Sequence, residues 1–188
     1  TKLSCVVDPS FGSSNDIISY VKKNNLKLDK ILLTHSHYDH IADVKSLKDQ
    51  LDPSIYIHKL DSKNLIDPGS DKTFSMFHID GIDPDFFIKE NDLINIGDII
   101  FRVIHTPGHT PGGVCYLIEK DNILFSGDTL FKGSYGRVDF PGSDKELMID
   151  SLVKLSKLNP NTTVYPGHGS KTTIEEESWL KNAKKFVN

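Results

Sequence analysis

Three imidazoles and one carboxylate fall within six residues of one short segment, Thr34-His35-Ser36-His37-Tyr38-Asp39-His40. Histidine and aspartate are metal ligands, and packing alone rarely crowds so many of them together. Residues 30–33, directly before, are predicted to form a strand, so the segment occupies the carboxyl end of a strand, where open α/β sheets bind ligands. It therefore predicts both a metal site and a sheet with helices against it.

Three more ligand-type residues follow later in the chain, each beside glycine or proline. They are His109 in Thr106-Pro107-Gly108-His109, Asp128 in Gly127-Asp128-Thr129, and His168 in Pro166-Gly167-His168-Gly169. In an extended segment His35 and His37 project to the same side, while Asp39 and His40 lie further along. Five histidines and two aspartates are enough ligands for two neighbouring ions if one carboxylate, Asp128, is shared.

The ligand types indicate a catalytic site. Imidazoles and carboxylates suit zinc, and also iron or manganese, whereas thiolates would indicate structural zinc. Two ions about 3.5 to 4 Å apart can share a hydroxide and polarise the oxygen it attacks, which predicts hydrolysis. We expect Asp39 and Asp128 to serve catalysis as well as metal binding. Asp8, ending the first predicted strand, is expected to orient a liganding imidazole; the alternative is a plain turn residue.

Composition predicts one domain over residues 1–188, which is enough chain for a substantial core. The net charge is −4, so no nucleic-acid partner is expected. No apolar run approaches the roughly 18 residues of a membrane span, and no signal-peptide pattern opens the chain. Cys5 and Cys115 lie in apolar runs without a metal-site spacing, which favours buried free thiols and a cytoplasmic location.

The hydrophobic pattern alternates strands and helices in the first half of the chain and is strand-rich in the second. It predicts strands at residues 3–7, 30–33, 54–57, 99–104, 113–118, 123–125 and 163–165, and helices at 14–25, 41–51, 145–158 and about 173–185. Residues 61–91 form a mostly irregular excursion. Its aromatic residues, Phe74, Phe77, Phe86 and Phe87, either shape a pocket or pack the loop onto the body.

The order of the motifs resembles the metallo-β-lactamase superfamily. HxHxDH is followed by Gly-His, Gly-Asp-Thr and Pro-Gly-His-Gly, all at predicted strand ends and spread over nearly the whole chain. The resemblance implies an α/β or α+β fold, a four-layer αββα sandwich with the site at one edge of two packed sheets. It also implies how the ions are held: one by His35, His37 and His109, the other by Asp39, His40 and His168, with Asp128 bridging.

The sequence differs from typical superfamily members in two ways, and each difference leads to a prediction. Superfamily members usually begin with an additional strand or hairpin before the segment at residues 3–9, so we expect the usual first strand to be missing here. True β-lactamases typically place a cysteine where this chain has Asp128 and lack a liganding histidine at the place of His40. We therefore do not expect β-lactamase activity, despite the name of the superfamily.

Within the superfamily the chain resembles the short bacterial branch of glyoxalase II-like hydrolases, which cleave thioesters such as S-lactoylglutathione. The resemblance rests on residues 127–131, Gly-Asp-Thr-Leu-Phe, and on residues 133–142. It implies two divalent ions, zinc before iron or manganese, whose bridging hydroxide attacks a small-molecule thioester. Full-length enzymes carry a helical C-terminal domain that helps to bind glutathione, and we expect none here. They also follow the last ligand with Glu-Tyr-Thr, whereas Gly-Ser-Lys follows His168.

Three residues are candidates for contact with the substrate. Lys132 and Arg137 lie on the loop after Asp128 and are suited to an acidic group of the substrate; the alternative is that both are solvated surface charges. Tyr38 lies between two ligands and either points into the pocket or packs. Three other histidines, at positions 58, 78 and 105, have no motif partner and are interpreted as structural or solvated.

A mononuclear-iron persulfide dioxygenase is the alternative function. That branch resembles residues 136–140, Gly-Arg-x-Asp-Phe, and uses one iron held by the residues that match His35, His109 and Asp128. A phosphodiesterase or nuclease is less favoured because the sequence has no basic patch. A non-catalytic metal-binding protein is less favoured because all seven ligand positions are filled. The oligomeric state is left open.

Overall fold

A parallel sheet is formed by the first half of the chain in this computed structural model, which describes residues 1–73, 75 and 77–187. Its strands are, in order across the sheet, β1 (Leu3–Val7), β2 (Lys27–Leu32), β3 (Ser54–His58) and β4 (Phe86–Ile88). The first three lie at the predicted positions, with β2 longer than expected. The pattern does not predict β4, because three residues are too few to show an alternation.

The second sheet is mostly antiparallel and comes from the second half of the chain. Its strands are β5 (Leu93–Ile96), β6 (Ile99–His105), β7 (Val114–Ile118), β8 (Ile123–Gly127), β9 (Thr163–Pro166) and β10 (Thr172–Thr173). They lie in the order β10-β9-β8-β7-β6-β5, and β9 pairs with β8 in parallel. The sequence predicts four of these strands, while β5 and β10 are short strands that it does not predict.

Five α-helices and three 3-10 helices complete the described chain. The α-helices are α1 (Ser14–Lys23), α2 (Tyr38–Ile41), α3 (Val44–Leu51), α4 (Ser62–Ile66) and α5 (Lys145–Leu155), and the 3-10 helices span Lys59–Asp61, Glu119–Asp121 and Ser178–Lys185. None of the helices described is long and apolar enough to cross a bilayer.

Three clusters of buried side chains separate four layers. Ile18, Val44 and Leu47 pack α1 and α3 onto the outer face of the first sheet. Leu32 of the first sheet and residues such as Phe101 and Tyr116 of the second form the cluster between the sheets. A third cluster, which includes Leu117, Leu124, Met148 and Leu152, lies under α5 on the other face of the second sheet. The expected αββα sandwich is confirmed.

Two predicted helices are wrong in detail. The helix predicted over residues 41–51 begins only at Val44, as α3, and Ile41 is the last residue of α2. Between the two helices the Asp43 amide donates to Pro9 O and its carboxylate accepts from Ser14 N. The terminal α-helix predicted from about residue 173 is a 3-10 helix over Ser178–Lys185, with non-helical backbone at Asn182. The buried Glu177 begins this segment by accepting from Gly133 N, a contact that local periodicity does not reveal.

The excursion at residues 61–91 is mostly irregular, as predicted, but contains α4 and β4. Phe77 stacks on Phe11 with ring centroids 4.2 Å apart, and Phe86 stacks on Tyr56 at 4.8 Å. These two aromatic residues therefore pack the excursion onto the body. Phe87 is exposed, and Phe74 lies outside the described residues.

The strand ends of both sheets meet at one edge of the sandwich. The HxHxDH segment follows β2 in the first sheet, whereas His109, Asp128 and His168 follow β6, β8 and β9 in the second. Val114 N donates to Thr34 O at 2.8 Å, and the hydroxyl of the buried Tyr116 donates to Leu33 O at 2.7 Å. These bonds fix the segment against the second sheet.

Candidate metal centre

Three buried imidazoles form the first cluster, which we call the first trio. One ring nitrogen each of His35, His37 and His109 lies within 4.8 Å of the other two. His37 Nδ1 is 2.8 Å from His109 Nε2, and His35 Nε2 is buried with no hydrogen-bond partner among the described residues. An unpaired buried nitrogen is costly, and three converging imidazoles are a donor set that fits a divalent metal ion.

Asp39, His40 and His168 form the second cluster, the second trio, whose ligand atoms also lie within 4.8 Å of one another. His168 Nε2 is 3.0 Å from Asp39 Oδ2 and 3.4 Å from His40 Nε2. His40 is buried, whereas 54% of the His168 side chain and 32% of the Asp39 side chain are exposed. The second trio is therefore open to solvent on one side.

Asp128 lies between the two trios. Its Oδ1 is 3.3 Å from His40 Nε2, and its Oδ2 is 3.5 Å from His109 Nε2 and 3.6 Å from His168 Nε2. Oδ1 is buried and forms no hydrogen bond of acceptable geometry to any described residue. The carboxylate thus faces both trios, and all seven predicted ligands come together in one place.

Asp8 contacts the outer side of one imidazole directly and reaches a second through Thr34. Its Oδ2 lies 2.9 Å from His40 Nδ1. The same carboxylate accepts from Thr34 N and Thr34 Oγ1, and that hydroxyl lies 3.0 Å from His35 Nδ1. Asp8 has a φ of +50°, a conformation that aspartate tolerates better than most residues. A carboxylate on the outer nitrogen is suited to fix an imidazole's orientation, and this role of Asp8 stays a prediction.

Backbone atoms also pack closely against the ligand side chains, and glycine leaves room for them. Arg137 O lies 2.7 Å from His109 Nδ1, which turns the other nitrogen of that ring inward. A Cβ on Gly136 would lie 3.0 Å from His109 Nδ1 and 1.9 Å from Asp128 O. A Cβ on Gly167 would lie 2.3 Å from Asp128 Oδ1. Gly136 and Gly167 therefore allow the backbone to approach the ligand side chains closely.

Burial and charge shift the pKa values of the first trio and of His40 in opposite directions. Burial lowers the pKa of His37 to about 3, and it also lowers the pKa values of His35 and His109. Burial lowers the pKa of His40 as well, but Asp8 and Asp128 outweigh it and raise that pKa to about 10. In the metal-free protein the first trio is therefore neutral at pH 7, while His40 carries a proton.

A cleft of about 480 Å³ opens in front of both trios. Its walls include Tyr38, Phe131, Tyr135, Arg137 and Phe140. Arg137 lies over the ring of Phe140 at 4.2 Å and donates two hydrogen bonds to Asp139. Tyr38 and Arg137, two of the predicted substrate contacts, thus line the cleft. A second cavity of about 590 Å³ lies behind Asp8 and His40 and is lined largely by strand residues.

Lys132, the third predicted substrate contact, is not among the described residues that line this cleft. Its side chain is mostly exposed and lies 3.8 Å from Glu176 Oε2. The three histidines without a motif partner lie outside both trios: His58 and His105 stack on each other at 4.3 Å, and the exposed His78 pairs with Asp80. Cys5 and Cys115 are free thiols.

Two polar residues near the site, Asp61 and Asn64, are missed by the sequence argument. Both are buried, and both contact Ser36, the residue between His35 and His37. They lie within the stretch interpreted as irregular. The available signal was that Asp61 follows β3 closely, at the same end of the sheet as the HxHxDH segment.

Comparison with known proteins assigns the family. The family model described as "Metallo-beta-lactamase superfamily" matches residues 4–168. The chain belongs to the metallo-beta-lactamase superfamily. It is 34% identical, over all of its length and 88% of the relative's, to a protein of Haemophilus influenzae named hydroxyacylglutathione hydrolase GloC. It is 38% identical to a hydroxyacylglutathione hydrolase of Francisella tularensis subsp. novicida, of which it spans 60%.

Two of the solved structures to which the chain is similar are informative. The BLEG-1 B3 metallo-beta-lactamase is 36% identical with a TM-score of 0.86, covering 94% of this chain and 86% of that one. TTHA1623, solved in a di-iron-bound form, is 35% identical with a TM-score of 0.82, covering 92% and 85%. The inward imidazoles, the unpaired His35 Nε2 and the unpaired Asp128 Oδ1 fit the metal centre of this superfamily. The chain is a metal-binding hydrolase of the superfamily.

Proposed function

We propose that this chain hydrolyses a small-molecule thioester of the S-lactoylglutathione type with two metal ions. The observation that carries the proposal is the position of Asp128, whose two carboxylate oxygens face the first and the second trio. The 34% identical relative named hydroxyacylglutathione hydrolase GloC supports the choice of a thioester. Zinc is the proposed metal, with iron and manganese as the other ions that this ligand set accepts.

In the proposed arrangement His35, His37 and His109 would hold one ion, Asp39, His40 and His168 would hold the other, and Asp128 would serve both. When bound, two such ions supply a nucleophile at neutral pH and stabilise negative charge on the carbonyl oxygen. Asp128 stays ionised for this role: burial raises its pKa, but the charge of His40, 3.3 Å away, and the neighbouring imidazoles outweigh burial and lower it.

The chain's own residues bind and orient the substrate. Phe131, Tyr135 and Phe140 give the cleft aromatic walls that exclude water from the acyl group. Arg137 is the cation on that wall, and its pairing with Asp139 sets its direction. A carboxylate of the substrate meets the guanidinium there. Because Arg137 O also accepts from His109 Nδ1, the residue that faces the substrate is joined to a ligand of the first trio.

The test combines metal analysis with two activity assays on one purified sample. We expect close to two ions per chain and cleavage of S-lactoylglutathione, with release of one thiol per thioester. One iron per chain with oxygen uptake on glutathione persulfide, and no thioester cleavage, would assign the chain to the dioxygenase alternative. Bound metal without turnover on thioesters, phosphodiesters or persulfide would overturn the proposal in favour of a non-catalytic role.

A further inference from the structure

Two buried polar side chains behind the first trio form a pair, Asp61 and Asn64. Asp61 ends the 3-10 helix Lys59–Asp61, and Asn64 lies in α4 directly after it. They are 4% and 5% exposed, which is unusual for these residue types. Buried polar groups require hydrogen-bond partners. The partners of Asp61 and Asn64 therefore indicate what the two side chains do.

Both side chains form hydrogen bonds to the backbone of Ser36, one to its amide and one to its carbonyl. Asp61 Oδ2 accepts from Ser36 N at 3.2 Å, and Asn64 Nδ2 donates to Ser36 O at 2.5 Å. The amide belongs to the peptide that follows His35, and the carbonyl belongs to the peptide that precedes His37. Fixing both peptide planes fixes the directions in which the two imidazoles leave the backbone.

Asp61 also reaches the loop that carries the third ligand. Its Oδ1 accepts from Gly112 N at 2.6 Å, three residues after His109. A Cβ on Gly112 would lie 2.5 Å from that oxygen, so only glycine leaves room for the carboxylate. One buried carboxylate thereby joins the HxHxDH segment of the first sheet to the His109 loop of the second.

Asn64 also connects Ser36 to the wall of the cleft through a chain of hydrogen bonds. Its Oδ1 accepts from Gly69 N at 2.9 Å, and its Nδ2 also donates to Asp71 Oδ2 at 3.0 Å. That carboxylate oxygen lies 3.9 Å from His37 Nε2, on the outer side of the ring. Thr73, whose hydroxyl donates to Asp71, lines the cleft itself.

We propose that the Asp61/Asn64 pair is a positioning device that presets the first trio for its ion. This inference rests on the ligand set of the proposed function. Three converging imidazoles, two with nitrogens 2.8 Å apart, require a rigid backbone to stay together in the metal-free protein. Outer contacts of this kind typically contribute about 10- to 100-fold to metal affinity.

The test measures metal affinity at one trio at a time. A His168→Ala background leaves the first trio complete, and a His37→Ala background leaves the remaining ligands of the second ion. Zinc affinity is measured in each by competition with a chromophoric chelator, with Asp61→Asn, Asn64→Asp or Gly112→Ala added. Asp85→Asn is the matched control, since Asp85 accepts a backbone bond from Ile55 N in the first sheet, away from the site.

We expect each added substitution to weaken zinc binding about 10- to 100-fold in the His168→Ala background and to leave it unchanged in the His37→Ala background. Thermal unfolding of the metal-free variants identifies any that fail to fold, and Gly112→Ala retains both side chains of the pair. Equal affinities for these variants and Asp85→Asn in the His168→Ala background would overturn the inference. Absence of zinc binding by the unsubstituted chain would instead overturn the proposed function.

Discussion

The first trio and the second trio use similar ligands in different surroundings. His35, His37 and His109 are all at least nine-tenths buried. Asp61 and Asn64 bind the backbone between His35 and His37, and the Arg137 carbonyl binds the outer nitrogen of His109. In the second trio only His40 is enclosed, while more than half of His168 is exposed. An enclosed, preset ligand cluster favours tight and permanent binding, whereas an open one favours exchange. For the proposed ligand assignment, the difference predicts that the two ions are held unequally.

Removing Asp128 gives the largest expected effect, because this carboxylate faces both trios. We expect Asp128→Ala to lose most of the second ion, to weaken the first, and to lower kcat/KM for the thioester by about a thousandfold or more, since several kcal/mol of charge stabilisation disappear. Metal analysis and steady-state kinetics measure this. Asp80→Ala, an exposed carboxylate paired with His78, is the control. Full metal content and activity in Asp128→Ala would show that the ligand assignment is wrong.

Removing one histidine from each trio compares the two positions directly. His37→Ala is expected to lower metal content to about one ion or less and to abolish activity, because it leaves two enclosed imidazoles with an incomplete ion site. His168→Ala is expected to retain one tightly bound ion and a measurable residual rate. Equilibrium dialysis followed by metal analysis separates the two outcomes, with His78→Ala as the control. Equal losses in both variants would contradict the inequality of the trios.

A smaller effect concerns pH. His40, with its pKa raised to about 10, must lose a proton when the second ion binds, so affinity there rises with pH by up to about tenfold per unit below that pKa. Burial keeps the first trio neutral, with the pKa of His37 at about 3, so affinity there is nearly flat between pH 6 and 8 by the same linkage. Calorimetry in buffers of different ionisation enthalpy counts the protons released at each step. Proton release at the first step rather than the second would reverse the assignment.

The same proton affects the metal-free fold. The folded-state pKa of His40 lies above its unfolded value near 6.5. Its stabilising contribution is therefore fully present below about pH 6.5 and is lost as pH rises through about 10. Urea unfolding of metal-free protein and of its His40→Ala variant at pH 6 and 9 measures this. The free energy of unfolding of the variant should change less between the two values.

The sequence predicts those parts of the molecule that are local. The HxHxDH segment and the Gly/Pro turns carry the ligands within a few residues of strand ends that hydrophobic runs reveal, and Asp8 contacts His40 as expected. The sandwich is implied by the resemblance of the motifs and their order to the superfamily. The ligand roles themselves stay predictions, as do substrate contacts by Arg137 and Tyr38.

What the sequence cannot predict depends on contacts between distant segments. Asp61 and Asn64 bind backbone groups of Ser36, 25 and 28 residues away, and backbone partners leave no pattern of their own. The strands β4, β5 and β10 have four residues or fewer and exist because a neighbouring strand pairs with them. The 3-10 form of Ser178–Lys185 likewise follows from tertiary contacts at Glu177.

The division of the ligands between two sheets has a consequence for synthesis of the chain. A ribosome completes the first trio when His109 and the strands that follow have emerged, well before it reaches His168. Segments nearer the amino terminus generally begin to fold first. In the proposed arrangement, the ligands of the enclosed position would be complete while the chain is still growing, and those of the open position only after β9 has joined the second sheet. The order of translation would then also be the order in which the two ion positions are completed.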